Sequence, residues 1–203
     1  MQNKGTLWKG LGIGFLALVL AFLGFYGYMG GFQEVTVSRT KFGPHTIIYA
    51  THRGPYEDLG ASWEKFENRW KDAGLQTCES LAVYLDPPDT PPEELRSILG
   101  CRIDQLDAAQ QETLSQKFSV FEFPAMESIY GEFPYRNMLS FMLGPIKVYP
   151  EFQKVMEEGN VQTSVAFEVY GDPDNMEKIQ FIMPVEEPRS TFAPLEQAFE
   201  QSL

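Results

Sequence analysis

The chain has 203 residues, a formal net charge of −12 and a pI of about 4.6. All 28 acidic residues and 14 of the 16 basic residues follow residue 33, so the part from residue 34 onward carries a net charge of −14. This charge argues against nucleic acid as a partner, because binding a phosphate backbone requires a cationic surface. It also predicts repulsion from anionic lipid headgroups. Small molecules and proteins that are cationic or neutral remain compatible partners.

Residues 10–32 form an uncharged run of 23 residues that follows a short basic tail at 1–9. A helix of this length spans about 34 Å, which is enough to cross a hydrocarbon core of about 30 Å. We therefore predict a single transmembrane helix. The alternative is a cleaved signal peptide, although bulky aromatic residues stand where an A-x-A-like cleavage pattern is expected.

The orientation of this span is predicted from its flanking charges. Lys4, Lys9 and the α-amino group precede the span, and Arg39 and Lys41 follow it. Because positive charges tend to stay cytoplasmic, the count favours by a small margin a domain on the extracytoplasmic side, which is periplasmic in a bacterium. The cytosolic face is the alternative.

Cysteine and histidine are scarce in this chain. Cys78 and Cys101 are its two cysteines, and His45 and His52 are its two histidines. In an oxidising compartment the cysteines could form a disulfide, and the alternative is a pair of buried reduced thiols. Neither histidine has a cysteine, histidine or carboxylate at ligand spacing, so we predict no metal site. We also expect no cofactor, because no phosphate-binding loop or cofactor motif occurs.

The part that follows the apolar run contains an internal repeat. Gly-Pro-Tyr at 54–56 and Val-Tyr-Leu-Asp-Pro at 83–87 are echoed by Phe-Pro-Tyr at 133–135 and Val-Tyr-Gly-Asp-Pro at 169–173. Each copy begins with two strand-like segments around a turn dipeptide, Gly43-Pro44 or Pro124-Ala125, and we predict that these segments pair with each other. The repeat predicts an α+β fold of two βαββ-type modules, at about 34–105 and 116–186. They would form a curved antiparallel sheet with helices on one side and a central groove.

Each module has one long helix with an apolar side that we predict to be buried against the sheet. In the first helix these residues recur at the helical period, and in the second they surround Pro145, which kinks the helix or starts a new one. The first set is Leu59, Trp63, Phe66 and Trp70, and the second is Met138, Leu139, Met142, Leu143 and Ile146, continued by Phe152, Val155 and Met156.

Two shorter helices are predicted between the modules. Thr90, Pro91 and Glu93 resemble the start of a helix and Gly100 its end, so residues 90–100 are assigned to the first. Residues 107–118 are assigned to the second.

Glu168 is the strongest candidate for a ligand-binding residue. In a strand, Phe167 and Val169 face one way, and Glu168 and Tyr170 lie on the alternate phase. A carboxylate in such apolar surroundings must be paired, hydrogen-bonded or aimed into a cavity. An acid ringed by aromatic side chains suits a lipophilic cation, and the candidates for those walls are Tyr56, Trp63, Tyr84 and Tyr135. The alternatives are a carboxylate that is exposed or only structurally bonded to a tyrosine hydroxyl, and tyrosines that belong to the core.

These motifs, together with Pro91, Glu93, Leu95 and Arg96, resemble the GyrI-like domain, which is also the effector-binding domain of some multidrug-responsive regulators. The resemblance covers about residues 34–186 and implies a domain at 34–188, with 189–203 as a C-terminal extension. It implies a groove that binds a small molecule, with the acid at position 168 directed inward. Some relatives are described as hydrolases, which implies Glu168 as a general base and Tyr170 as an acid or water-positioning group. A non-enzymatic binding function is the main expectation.

An apolar anchor directly before such a domain is similar to the layout of the testis-expressed reticulophagy receptor family. The segments at 82–96, 130–143 and 167–185 resemble that family's domain. This resemblance implies an adaptor or receptor that acts as an interaction scaffold at a membrane. Those receptors act through a long disordered tail with a motif for ubiquitin-like autophagy proteins, and we expect no such tail here. Phe192-Ala-Pro-Leu195 fits the minimal form of the motif, although Pro194 argues against its use.

Overall fold

The computed structural model describes residues 4–87 and 89–200, with side chains described from residue 11 onward. Its first helix, α1 (Lys4–Tyr28), contains the window Leu11–Tyr28, which has a mean hydropathy of 2.0 and is not buried by the rest of the chain. By length and composition α1 is a candidate membrane span, and a signal sequence near the N-terminus would have the same properties.

The remainder is built on one curled antiparallel sheet of eight strands. These are β1 (Ser38–Phe42), β2 (His45–Arg53), β3 (Glu79–Tyr84), β4 (Arg96–Arg102), β5 (Ser119–Phe123), β6 (Met126–Pro134), β7 (Ala166–Gly171) and β8 (Lys178–Pro184). Their order is β1-β6-β8-β7-β3-β4-β2-β5. The sheet has two equivalent halves, β1-β6-β8-β7 and β5-β2-β4-β3. From its edge inward, each half contains the first strand of one module and then the second, fourth and third strands of the other module. The fold is therefore the predicted α+β duplication, with its pseudo-two-fold axis between β7 and β3.

The first strand of each module pairs with the other module. Strand β1 pairs with β6, and β5 pairs with β2. The prediction that the segments around Gly43-Pro44 and around Pro124-Ala125 pair locally is therefore wrong, because both connections cross between the halves. The crossing is close, since a Cβ atom on Gly43 would collide with the carbonyl oxygen of Pro124. Gly43 also has a φ of 87°, which favours glycine.

The helix predicted for residues 90–100 is wrong. Pro92–Glu94 form a single 3₁₀ turn, and the residues from Arg96 onward form β4, which lies between β3 and β2. Ile98 and Leu99 are fully buried in the ladder. Burial on both faces of a paired strand outweighed the local helix-start signals. The second short helix is confirmed as α3 (Ala108–Ser115), which begins with a capping box at Asp107.

The long helices α2 (Leu59–Asp72) and α4 (Ser140–Gly159) pack on one face of the sheet. Helix α2 buries Leu59, Phe66 and Trp70, as predicted. The short helix α5 (Ala193–Gln197) covers the opposite face, where Phe192 and Leu195 are fully buried. These two side chains are therefore not available to a partner.

Helix α4 buries only part of the predicted side: Phe152 is fully buried and Leu143 is half-buried, but the apolar residues at its start are not. Its buried residues are Ser140, Gly144, Val148 and Phe152, whereas the exposed fractions of Met138, Leu139, Met142 and Ile146 are 71%, 44%, 64% and 65%. Small residues allow the close approach, since a Cβ on Gly144 would lie 2.8 Å from the ring of Phe181. The helix runs continuously through Pro145 and Pro150. The largest apolar side chains at its start therefore face outward.

Cys78 and Cys101 are joined in a disulfide, with their Cα atoms 5.6 Å apart. Both side chains are buried beside α2 and α3. The other end of the same β-strand pair is held by Asp86, which accepts hydrogen bonds from the backbone amide and the guanidinium of Arg96 at 2.7 and 2.6 Å. The pair of strands β3 and β4 is therefore held together at both of its ends.

Replacing Phe192 with alanine should lower the free energy of unfolding by about 3–5 kcal/mol, because a fully buried aromatic ring is removed. Gln197→Ala, at an exposed position of α5, is the matched control and should change stability by less than about 0.5 kcal/mol. Denaturant titration of the full chain in detergent measures both values. A C-terminal segment that did not stabilise the sheet would give equal values for the two variants.

Candidate functional site

Glu168 lies at the junction of the two modules. It occupies β7 directly opposite Ala82 of β3, and only 4% of the residue is exposed. Its neighbours Phe167 and Val169 belong to the core on the other face of the sheet, whereas Tyr170 lies on the face of Glu168 that α4 covers. The strand alternation thus points the carboxylate toward the helical layer.

Three tyrosine hydroxyls surround this carboxylate. Tyr149 donates a hydrogen bond to Oε1 at 3.0 Å, and Tyr170 and Tyr84 donate to Oε2 at 3.0 and 3.2 Å. The hydroxyls of Tyr84 and Tyr170 are also 3.0 Å apart. Oε2 and these two hydroxyl oxygens form a closed ring. The ring can satisfy either a carboxylate that accepts or a carboxylic acid that donates.

Burial raises the pKa of Glu168 to about 7, although the hydrogen bonds from Tyr170, Tyr149 and Tyr84 act to lower it. Burial and the nearby Glu168 raise the pKa values of these tyrosines well above the usual range, so the phenols remain donors at neutral pH. Glu168 is therefore the member of this cluster that changes charge near neutrality.

The carboxylate lacks a cationic partner within the described residues. None of the ion pairs there includes Glu168, and no basic side chain donates a hydrogen bond to it. A buried carboxylate without a counter-charge is costly, and perturbed pKa values of this kind cluster at functional sites. The site is thus electrostatically suited to a cation.

Aromatic rings cover the cluster. The ring of Trp63, on α2, lies 5.9 Å from that of Tyr170, and the ring of Phe141, on α4, lies 5.5 Å from it. Tyr56 packs 5.0 Å from Tyr84 and is the outermost, with 41% of its surface exposed. Burial, Asp86 and Glu168 raise the pKa of Tyr56 to about 12. Both long helices therefore contribute to the cover.

Most of the residues singled out from the sequence lie together. Tyr84 contacts Glu168 directly, whereas Tyr56 and Trp63 form the cover. Tyr135 does not reach the carboxylate, and its ring lies 5.4 Å from that of Phe141. Sequence reasoning missed Tyr149 and Phe141. Their spacing of eight residues places them on one side of α4, which a correct assignment of the buried face would have indicated.

Two surface cavities lie away from the carboxylate. One, of about 750 Å³, is bounded by residues of β2, α2, the α3–β5 connection and α5, including Tyr49, Arg69 and Phe118. The other, of about 440 Å³, is bounded by Tyr135, Arg136 and Lys178 among others. Glu168 lines neither of them. In this structure its site is closed by its own aromatic cover.

The family model of the GyrI-like small molecule binding domain matches residues 37–139, which is half of the chain. The chain belongs to this GyrI-like family. The matched range contains Tyr56, Trp63, Tyr84 and Tyr135 but ends before Glu168. Family membership therefore establishes the class of domain, and the role of Glu168 has to be inferred from the geometry of its site.

Solved structures share this fold. The C-terminal domain of EcmrR matches with a TM-score of 0.54 and 10% identity, over 76% of this chain and 99% of that domain. EcmrR in a complex with DNA matches with a TM-score of 0.53 and 11% identity, over 90% and 70% of the two chains. A hydrolase from Listeria innocua matches at 0.45 and 11%, over 80% and 98%, which is too distant to support an argument.

No curated protein matches the sequence. The resemblance to the reticulophagy receptor family therefore stays a prediction from the sequence motifs.

Glu168→Gln should remove a pH dependence of stability. The folded carboxyl has a pKa of about 7, and an unfolded glutamate has one of about 4.3. Between these values the folded chain binds more protons, so its free energy of unfolding falls as pH rises and stays low above pH 7. The full loss is about 4 kcal/mol. The variant does not titrate here, so its stability relative to the original chain should increase by about 3 kcal/mol between pH 5 and pH 8.

Denaturant titrations at the two pH values measure this difference. Glu122→Gln removes an equal charge from an exposed position of β5 and is the matched control. A difference for Glu168→Gln that does not change with pH would mean that the pKa of this carboxyl is not raised in the folded chain.

Proposed function

We propose that this chain is a membrane-anchored, non-enzymatic GyrI-like domain that binds a small lipophilic cation over Glu168. The observation that carries the proposal is the buried carboxylate, which has three tyrosine donors and no cationic partner in the described part of the chain. The family supports the broader class of small-molecule binding. The net charge of −12 argues against extending the DNA contact of EcmrR to this protein.

A cation provides what the carboxylate lacks. The hydroxyls orient and partly stabilise the anion, but they do not offset its burial, since its pKa stays near 7. A positive charge at a few ångströms favours the ionised form in surroundings of low dielectric. The rings of Tyr56, Trp63 and Phe141 offer their faces and apolar area to a lipophilic cation. Charge and surface chemistry therefore select the same class of ligand.

Binding requires the aromatic cover to move. Tyr56 is the most exposed ring of the cover, and it follows Gly54, which has a φ of 134°. His52 holds this turn through Ser62 Oγ at 2.9 Å and the carbonyl of Pro55 at 3.3 Å. Rotation of one exposed side chain is a small change compared with rearrangement of the sheet. We expect ligand entry on the Tyr56 side.

Tetraphenylphosphonium, a permanently charged lipophilic cation, should bind the full chain in nonionic detergent. Because it requires the ionised carboxylate, its affinity should fall about 100-fold between pH 8 and pH 5. Glu168→Gln should lower the affinity at pH 8 by about 10- to 100-fold and remove the pH dependence. Isothermal titration calorimetry measures both effects.

Tetraphenylborate has the same shape and the opposite charge, and it should not bind the site. Glu122→Gln, the exposed control, should leave the affinity for the cation unchanged. Equal binding of the two ions, or equal affinity of Glu168→Gln and the unchanged chain, would contradict the proposal.

A hydrolase is the second candidate. The observation that favours it is the 3.0 Å contact between Glu168 and Tyr170, together with a carboxyl pKa of about 7, which suits a general base. A water and an electrophile would also have to enter beneath the aromatic cover. Turnover of an added electrophile that is lost in Glu168→Gln would favour this candidate over simple binding.

The disulfide supports an extracytoplasmic location for the domain. Disulfides persist in oxidising compartments and are rare in the cytosol. Together with the basic residues before α1, this favours a membrane anchor with the domain outside. The reticulophagy-type scaffold on a cytosolic face would require reduced thiols.

Denatured samples of the full chain from its own compartment should react with no maleimide–polyethylene glycol unless they are first reduced, and with two after reduction. Cys101→Ser leaves Cys78 unpaired and should react once without reductant. Shifts in gel mobility give the count. Two reactive thiols before reduction would place the domain in a reducing compartment.

A further inference from the structure

We propose that the outer face of α4 lies in the interfacial layer of the membrane that α1 enters, so that the domain is docked on the bilayer. This docking face consists of Met142 and Ile146 on α4 and of Met138 and Leu139 in the turn directly before it. The inference rests on the membrane-anchoring part of the proposed function and adds a second, independent contact with lipid.

The four side chains are large, apolar and exposed. Their exposed fractions are between 44% and 71%. Met142 and Ile146 are four residues apart and therefore lie on one side of α4, and Met138 and Leu139 stand in the turn that leads into it. This side is distinct from the one that packs on the sheet through Gly144, Val148 and Phe152. A continuous exposed apolar patch indicates a surface that is covered in the working protein.

The end of α1 is fastened beside this face. Met29 is fully buried, and its sulfur accepts a hydrogen bond from the amide of Asn137 at 3.3 Å. Lys147 donates to the carbonyl of Gly31 at 3.0 Å. The guanidinium of Arg136 lies 5.8 Å from the centre of the Tyr28 ring. The docking face is therefore held next to the point where the apolar helix ends, with no flexible spacer between them.

The location of the span sets the depth of the docking face. The window Leu11–Tyr28 has 18 residues, about 27 Å of helix, which places its end near the boundary of the hydrocarbon core. Tyr28 and Phe32 are more than 60% exposed there, as is typical of aromatic residues at a membrane interface. Side chains of α4 fastened to this end lie at the same level.

The local charge also favours lipid. Residues 135–150 contain two basic residues, Arg136 and Lys147, and no acidic residue, although the chain as a whole has a net charge of −12. Basic side chains at the rim of an apolar surface are attracted by lipid phosphates. The repulsion predicted from the net charge of the domain does not apply to this face.

A fluorescence experiment on the full chain tests the docking. Met142→Cys carries an environment-sensitive nitrobenzoxadiazole label, and Val120→Cys is the matched control, an exposed apolar residue on the far edge strand β5. The native cysteines are in the disulfide and do not react without reductant. Each labelled chain is placed, one copy per disc, in nanodiscs of phosphatidylcholine and phosphatidylglycerol with or without lipid that carries a doxyl group near the headgroup.

The label at position 142 should emit at shorter wavelength and be quenched by the doxyl lipid at least about twofold more than the label at position 120, because interfacial side chains lie about 5–10 Å into the headgroup and acyl boundary. Adding Met138→Asp and Ile146→Asp should reduce quenching at 142 to the level at 120. Equal quenching at the two positions, or quenching at 142 that survives the two aspartates, would overturn the docking.

Two further readouts distinguish the docking from the anchor and from self-association of the chain. Resistance of the same chain to carbonate extraction from vesicles reports the anchor. An extracted chain overturns both the anchor and the docking, whereas a retained chain with equal quenching overturns the docking alone. Protection of position 142 that depends on protein density in vesicles, without lipid quenching, would show that a second copy covers the face and would also overturn the docking.

Discussion

The ladder between β3 and β7 is the contact on which the rest of the structure depends. It joins the two halves of the sheet, and it places Glu168 opposite Ala82 at the pseudo-two-fold axis. The first module supplies Tyr84, and the second supplies Tyr149 and Tyr170. Because β1 and β5 each pair with a strand of the other module, the modules are interlocked. The carboxylate cluster is therefore a property of the whole duplicated domain, and neither module alone contains it.

The electrostatic balance of this cluster is close. A shift of the Glu168 pKa to about 7 corresponds to about 4 kcal/mol of unfavourable ionisation, and a single charged hydrogen bond or ion pair of about 1.5–3 kcal/mol offsets most of it. One ligand charge is thus enough to fix the ionised state. The surrounding tyrosines stay protonated near neutral pH, because their pKa values are raised. The charge selectivity of the proposed site therefore depends on whether Glu168 carries its proton.

The sequence contained the local parts of this arrangement. The repeat predicted the duplication, and the strand alternation predicted that Glu168 lies on the face opposite to Phe167 and Val169. The pairing of strands could not be derived in the same way, because β1 and β5 pair with distant segments and not with their neighbours. Residues 90–100 carry genuine helix-start signals. A strand is nevertheless more stable than a helix here, because Ile98 and Leu99 are buried between two other strands.

The buried face of α4 was missed in its first turns for a related reason, whereas Phe152 was assigned correctly. A search for large apolar residues selects Met138, Met142 and Ile146, but a helix that approaches a sheet closely requires small ones. Ser140 and Gly144 are buried where the large residues were expected. A pattern of small residues identifies such a face only when the opposing ring, here Phe181, is known. The large apolar residues remain on the outer side of the helix, where they can contact another surface.

Helix α4 connects this outer surface with the ligand site. Met142 and Ile146 lie on its docking face, whereas Phe141 and Tyr149 cover and bind the carboxylate cluster. Proline has no amide proton, so Pro145 and Pro150 leave the carbonyls of residues 141 and 146 without their usual helical donors. The proposed docking face and the proposed ligand site therefore share one helix, whereas the expected entry of the ligand lies at Tyr56, in the first module.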